Sequence, residues 1–479
     1  MRALIVLVLA TLAQCAPMRS IVRADSASFA TRLRAAGPGD VIALAPGTYE
    51  GGWWIDISGA PGRPVTITAL AGPGTVIVEG GGEGINIADG AHDIVLSGLE
   101  IRGSSDNLVH VQGGAHDIVL RDLHVHHAGP DGDGIKVNQA HDILIERVDC
   151  HDPGPRPDRP DGNPSQECID LVDVEHATIR DSYLHDGGNQ LIFVKGGSRD
   201  IVIERNVITR QGPDAIDPCV GLGGATDVEL LRGRAYEASD VVFRNNIVAG
   251  CRAGGVGVYD GEHVWIVNNT LSNVGTEAIE FRAGNGPAGE SRDVHVVNNW
   301  FVDTTGEAFA PWSLRSHRLS GLDAHHNVAS LNDGVSMESD AAILATLPSR
   351  LAMGITTLEP AWQPSMIRAW SERLPDGLID QGTTLSGRGA VHDDVLRVSR
   401  PIGSGVDIGA IESRRVRSSQ SPAPTVVSDV GTRPSACNRG CNRPRSMTGF
   451  AFLAFIAGAR RRLSGAPDRR RVATRRTDT

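Results

Sequence analysis

Lysine is almost absent from this 479-residue chain: Lys136 and Lys195 are the only two, and the other 44 of 46 basic residues are arginine. Arginine stays protonated at any working pH, whereas a lysine can be tuned into a base. The amine is therefore reserved for two places. Aromatic residues are scarce at 4%, and acids outweigh bases to give a net charge of −11. That balance excludes a nucleic-acid partner held on a basic surface. It does not exclude a polyanionic sugar approached through a bridging cation. Long apolar runs are missing too: the thirteen residues "MTGFAFLAFIAGA" (447–459) fall short of the ~20 that cross a bilayer. There is no phosphate-binding loop, no zinc-protease helix motif and no serine-nucleophile elbow.

Glycine, by contrast, is abundant at 57, and apolar residues make up 40%. This composition suits a turn-rich β protein better than a helical one. The first residues, "MRALIVLVLATLAQCAP", place one Arg before an apolar run from Ala3 to Ala13, which is a secretory signal pattern over residues 1–20. "LAQC" resembles a lipoprotein cleavage box, with Gln14 where a small residue is needed. At the other end, Cys437 and Cys441 precede the short apolar run, and the twenty residues after 459 hold eight Arg and two Asp. That order resembles the C-terminal surface-sorting tails of myxobacterial proteins. It implies a secreted or cell-surface chain whose membrane contact is confined to the 446–479 tail. Residues 416–445 read as a linker. Cys150, Cys168, Cys219 and Cys251 remain; three pairings are possible, and Cys150 with Cys168, flanking one insertion, is the expected one.

The middle of the chain repeats. "HDIVLSGLEI" starts at 92, "HDIVLRDLHV" at 116, "HDILIERVDC" at 141, "EHATIRDSYL" at 175, "RDIVIERNVI" at 199, "SDVVFRNNIV" at 239, "EHVWIVNNTL" at 262 and "RDVHVVNNWF" at 292. A base step near 24 residues, lengthened by insertions, is a solenoid signature. Apolar residues alternate within each copy, as in Ile94 and Leu96, which is the period of half-buried strands. One copy cannot bury its apolar face alone. Stacked copies can, each strand pairing with its equivalent one coil away at ~4.8 Å. The predicted fold class is all-β, a right-handed parallel β-helix over 21–335. A short amphipathic helix in "SASFATRLRAAG" (26–37) is expected to cap its start, and 336–415 its end. Asn206, Asn246, Asn269, Asn299 and Asn327 recur at one place in successive copies and read as a structural amide ladder. The chain is expected to be monomeric.

One further strand closes each coil: "DGIKV" (133–137), "ECIDLV" (167–172), "QLIFVK" (190–195), "DAIDP" (214–218) and "EAIEF" (277–281). With the isoleucines inward, Lys136, Asp170, Asp217 and Glu280 point outward. Lys195 shares their parity, aligned with either Lys136 or Asn138. Asp133, Glu167, Asp214 and Glu277 form a second row at the preceding turn. Charged rows are usually solvated faces. Here the acids gather in the coils that hold the lysines, beside an insertion (151–167) able to wall a groove. The histidines from 124 to 127 read as a solvated strand edge.

"GDGIKVN", "QECIDLVDVEHATIRDSYLHDGG" and "FVKGGSRD" resemble the active-site coils of calcium-dependent pectate lyases, family nine in particular, over about 75 residues. The opening segment 39–70 resembles that of secreted β-helix polysaccharide lyases, and "GVDIGAIE" (405–412) resembles a closing strand. The lyase resemblance implies calcium on Asp133, Glu167 and Asp170, with Lys195 as the base. Gln166 stands where that family carries a further acid. Arg180 and Arg199, cations able to lower the lysine pKa, join Lys136 and Asp217 as expected contacts to an acidic polysaccharide. The implied reaction is β-elimination on a uronate polymer. Two alternatives stay open: a β-helix glycoside hydrolase using Asp133 and Glu167, though without its "GHG" and "R-I-K" motifs, and a non-catalytic surface β-helix that binds polysaccharide.

Overall fold

The computed structural model describes residues 21–130, 132–154, 166–213, 215–275, 277–302, 310–315, 318–330, 344–347, 371–372, 374–415 and 425–426. The expected signal segment, the sorting tail and most of the 151–167 insertion lie outside the described residues. No helix among those described is long and apolar enough to cross a membrane.

The repeat folds in the register its sequence implies. His92, His116, His141, Glu175, Arg199, Ser239, Glu262 and Arg292 are aligned strand to strand, all parallel. Ile94, Ile118, Ile143, Ala177, Ile201, Val241, Val264 and Val294 stack inward as one column, each at most 2% exposed. The second residue of each copy turns the corner with positive φ, from Asp93 at 52° to Asp293 at 54°. Asp, Asn and His tolerate this conformation because their short polar side chains can hydrogen-bond locally.

The strands line three faces. Those beginning at the repeats form one face. A second face runs from Leu99–Arg102 through His124–His126, Asp149–His151, Tyr183–Gly187 and Val207–Gln211 to Asn327–Ser330. The third runs through Trp53–Ile55, Ile85–Ile87, Val109–Val111, Ile192–Lys195, Val220–Gly223 and Val256–Tyr259 to Glu277–Arg282. It is joined to the first face by two twelve-residue strands, Ile135–Glu146 and Ile169–Arg180, which round the corner without a break. The asparagine ladder forms as expected: each Nδ2 donates to the next Oδ1, from Asn206 to Asn246 (3.1 Å), Asn269 (3.1 Å), Asn299 (3.0 Å) and Asn327 (3.0 Å).

The helix near the start spans Phe29–Ala35 and buries Phe29 and Leu33 in the apolar core, with the Phe29 ring 4.1 Å from that of Trp53. Two expectations are corrected. The described segment 374–415 does not lie as a closing strand at the solenoid end. "GVDIGAIE" forms no strand, and Leu378, Ile379, Ile408 and Ala410 pack along the flank on the outward residues Tyr183, Val207, Ile247 and Trp300. These outward apolar residues of the second face need a cover, and the tail segment supplies it. The disulfide joins Cys219 to Cys251, not Cys150 to Cys168. The latter two are free and buried, their thiols directed at each other's backbone carbonyls at 3.5 and 3.2 Å.

Candidate active-site cleft

The third face positions the lysines. Ile135, Ile169, Ile192, Val220, Val256 and Ile279 are aligned and fully buried, so alternation sends their successors outward. Lys136 is aligned with Asp170, and Asp170 with Phe193. Lys195 falls one step further, in the row of Asn138 and Val172. Its side chain nevertheless returns to Asp170, with Nζ 3.3 Å from Oδ2 and 3.9 Å above the Phe193 ring. Glycine makes the space: a Cβ on Gly221 would stand 2.6 Å from the Phe193 ring, and one on Gly224 3.1 Å from Lys195 Cβ.

The turn before each strand adds the other acids. Asp133 is fixed from both sides, its N–H donating to Asn107 Oδ1 (2.9 Å) and its Oδ1 accepting from Glu167 N–H (3.0 Å). Oxygens of Asp133, Glu167 and Asp170 lie within 4.8 Å of one another, and all three residues are buried. Lys136 Nζ donates to Asp170 Oδ2 and lies 3.3 Å from Asp133 Oδ2. The charges divide accordingly. Burial, and then Asp133, push the Glu167 carboxyl well above the usual range. Burial alone would raise Asp170, but the ammonium groups of Lys195 and Lys136 outweigh it and hold Asp170 below its ordinary value. Burial alone would lower Lys136, and Asp170 and Asp133 reverse that, so its ammonium is strongly retained.

These residues fit a hard divalent cation. The donors are carboxylate oxygens, the ligand type that calcium takes. Asp170 Oδ1 is buried with no hydrogen-bond partner, and Glu167 resists ionising until a cation joins it. Gln166 takes no part, because its amide is turned to the Pro130 carbonyl.

A cleft of about 640 Å³ opens above the cluster, lined by Lys136, Lys195, Glu167 and Asp217 among others. One wall comes from the 224–237 insertion through Ala225, Thr226, Asp227 and Leu230. The 40-residue step between the repeats at 199 and 239 was its sequence signal.

Other expected site residues stand elsewhere. Arg180 and Arg199 do not line the cleft: Arg180 holds Glu146 at 2.7 Å, and Arg199 holds Glu175 at 2.7 Å, both on the first face. Each charge is already answered one coil away. Asp217 reaches the cleft from a turn and not from a strand. The strand is Val220–Gly223, and Ile216 is 55% exposed. Pro218 has no N–H for the ladder, so "DAIDP" cannot pair and "VGLG" takes the inward period. Asp214 lies outside the described residues.

Sequence reasoning missed Arg282, Tyr259 and His110. Arg282 lines the cleft and binds Asp217 Oδ1 (3.1 Å) and Glu280. The Tyr259 hydroxyl donates to Glu280 Oε2 (3.3 Å). His110, aligned with Lys136, contacts Glu83 and Asn138. Outward parity in "LVHVQ" (108–112) was a signal for His110. The same parity, two residues after Glu280, was a signal for Arg282.

No curated protein matches the chain. Among solved structures it is similar to pectate lyase Pel9A, with 17% identity, a TM-score of 0.51, and coverage of 80% of this chain and 90% of that one. It is also similar to an alginate lyase from Paenibacillus sp. str. FPU-7, with 15% identity, a TM-score of 0.41, and coverage of 64% and 99%. A rhamnogalacturonan lyase gives 13% identity, a TM-score of 0.46, and coverage of 66% and 85%. The model of the right handed beta helix region matches residues 74–230 and 168–341, more than half of the sequence, and the chain belongs to that family.

Proposed function

We propose that the cleft binds an acidic polysaccharide and cleaves it by β-elimination, as an extracellular uronate lyase. The observation that carries this is the convergence of the Asp133, Glu167 and Asp170 carboxylates beneath a cleft, with the Lys195 amine 3.3 Å from Asp170. The similarity to a pectate lyase supports the substrate class. Calcium held by the three acids would neutralise the uronate carboxylate and acidify the C5 proton.

Lys195 takes that proton from C5. The electron pair forms the C4–C5 double bond, the C4–O4 bond breaks, and O4 leaves with a proton from water. Lys136 and Arg282 face the same cleft and meet substrate carboxylates. The Phe193 ring and the 224–237 wall limit solvent around the amine.

Incubation with polygalacturonate or alginate plus calcium is expected to produce unsaturated ends, seen as rising ultraviolet absorbance, and chelation to stop it. Lys195→Arg keeps charge and much of the reach but not the basicity. It should lower turnover by at least ~10²-fold while sparing substrate binding. Lys136→Arg should do much less. Full activity in Lys195→Arg would remove Lys195 from the base role.

A second reading is a glycan-binding β-helix without catalysis. Lys136 favours it, because its ammonium among the acids neutralises part of the cluster without an ion. Binding of a uronate polymer with no elimination product would decide for it. Inverting hydrolysis by Asp133 and Glu167 is disfavoured, since oxygens within 4.8 Å leave no room for the water such a pair flanks.

A further inference from the structure

The second face carries a separate cluster. Register aligns Glu100, His124, Asp149 and Tyr183 in one outward row, and Arg102, His126, His151 and His185 in the next. Between them Ile101, Val125, Cys150 and Leu184 point inward and are fully buried. Parallel pairing thus sets imidazoles and carboxylates from three successive coils side by side.

A solvated edge would leave these rings turned to water. Instead their nitrogens converge. His124 Nε2 lies 3.0 Å from His151 Nε2, and His126 Nε2 is buried without a hydrogen bond, 3.4 Å from Glu100 Oε1. Ligand atoms of His124, Asp149 and His151 lie within 4.8 Å of one another, as do those of Glu100, His124 and His126. Two Nε2 atoms bound tetrahedrally at ~2.0–2.1 Å from one ion would stand about 3.3 Å apart, so only a few tenths of an ångström of movement is required. Outer partners are in place as well. His151 Nδ1 meets Asp152 Oδ2 at 2.8 Å, leaving Nε2 directed at His124. Asp149 Oδ1 accepts from His185 Nε2 at 3.0 Å. A carboxylate on the far nitrogen is the arrangement that orients a metal-binding imidazole. Asp149 keeps 49% of its side-chain exposure, so an ion has a way in.

We propose that this face binds one transition-metal ion of the zinc class through His124 Nε2, His151 Nε2 and Asp149, with Glu100 and His126 as a second donor set sharing His124. Mixed imidazole and carboxylate donors select such an ion over calcium, which takes oxygen alone. The ion pins neighbouring coils, joining the strands His124–His126 and Asp149–His151. The site is independent of the cleft on the third face.

The test is isothermal titration of the chelator-stripped full chain with zinc and, separately, with calcium. The expected result is one zinc per chain, with affinity reduced at least ~10-fold by His124→Gln or His151→Gln and unchanged by Glu167→Gln in the cleft. Absence of stoichiometric zinc binding would overturn the site, as would equal binding by both histidine variants. Copper(II) loaded onto the wild type provides a readout that needs no variant. Electron paramagnetic resonance should show coupling to two imidazole nitrogens, and an oxygen-only spectrum would also overturn the site.

Discussion

Asp170 is the residue on which the cleft turns. Its carboxylate is 0% exposed yet faces outward, and Oδ2 is shared by Lys136 and Lys195 while Oδ1 has no hydrogen-bond partner. Removing its charge takes away the acid that Lys195 pairs with and leaves Lys136 with Asp133 alone. Because the lysines keep 25% and 19% of their exposure, the cost falls at the lower end of the range for a broken buried pair. Asp170→Asn is expected to destabilise the fold by about 3 kcal/mol, read from denaturant unfolding, and to abolish elimination. An unchanged midpoint would show that solvent compensates both lysines. Lys195 differs from Lys136 in the same terms: Lys136 is clamped by two acids, whereas Lys195 has one acid, one aromatic face and the open cleft.

At the scale of elements, the asparagine ladder ties successive coils. Asn246 Oδ1 accepts from Asn206, and its Nδ2 donates to Ile203 O (2.9 Å) and Asn269 Oδ1, all fully buried. Asn246→Ala orphans groups on both sides and is expected to cost about 2–3 kcal/mol in denaturant unfolding. The flank segment 374–415 has a different dependence. Asp394, Asp407 and Glu412 gather around the single guanidinium of Arg400, which stays charged. Burial, and then Glu412, push Asp407 up to about 7. A carboxyl raised above its unfolded value of ~3.9 contributes stability that is complete below that value and lost as pH rises through the folded one. Burial raises Asp394 and Glu412 with the same sign. Hydrogen-exchange protection of 374–415, corrected for intrinsic rate, should therefore fall between about pH 4 and about pH 7. Constant protection would mean that the backbone N–H donors at Asp407 suffice for its anion.

For the whole molecule, a cation that binds only the folded acid cluster must raise the unfolding free energy. At a hundredfold excess over Kd the gain is about 2.7 kcal/mol. Calcium is expected to raise Tm measurably in the wild type and not in Glu167→Gln, which loses a ligand but no fold element. Equal shifts in both proteins would place calcium elsewhere. The gain should grow with pH, because Glu167, raised by burial and Asp133, must release its proton to bind.

What the sequence determined is whatever a fixed period can carry. Alternation and a repeated step bring His92, His116 and His141 into line, set the amide ladder, and put Asp133, Glu167 and Asp170 on neighbouring coils. In a parallel solenoid, sequence offset converts directly into spatial adjacency, so local pattern suffices. Tertiary structure decided what depends on insertions and on contacts between faces. Pro218 moved Asp217 off its strand, and the 224–237 insertion built the cleft wall. Arg180 and Arg199 found partners on another face, and Arg282, 65 residues from Asp217, entered the cleft. The disulfide joined Cys219 to Cys251 because successive coils brought those two residues to 5.7 Å between Cα atoms. Period says which coil a residue occupies. Which of its neighbours answers its charge is settled only when the coils, their insertions and the flank pack together.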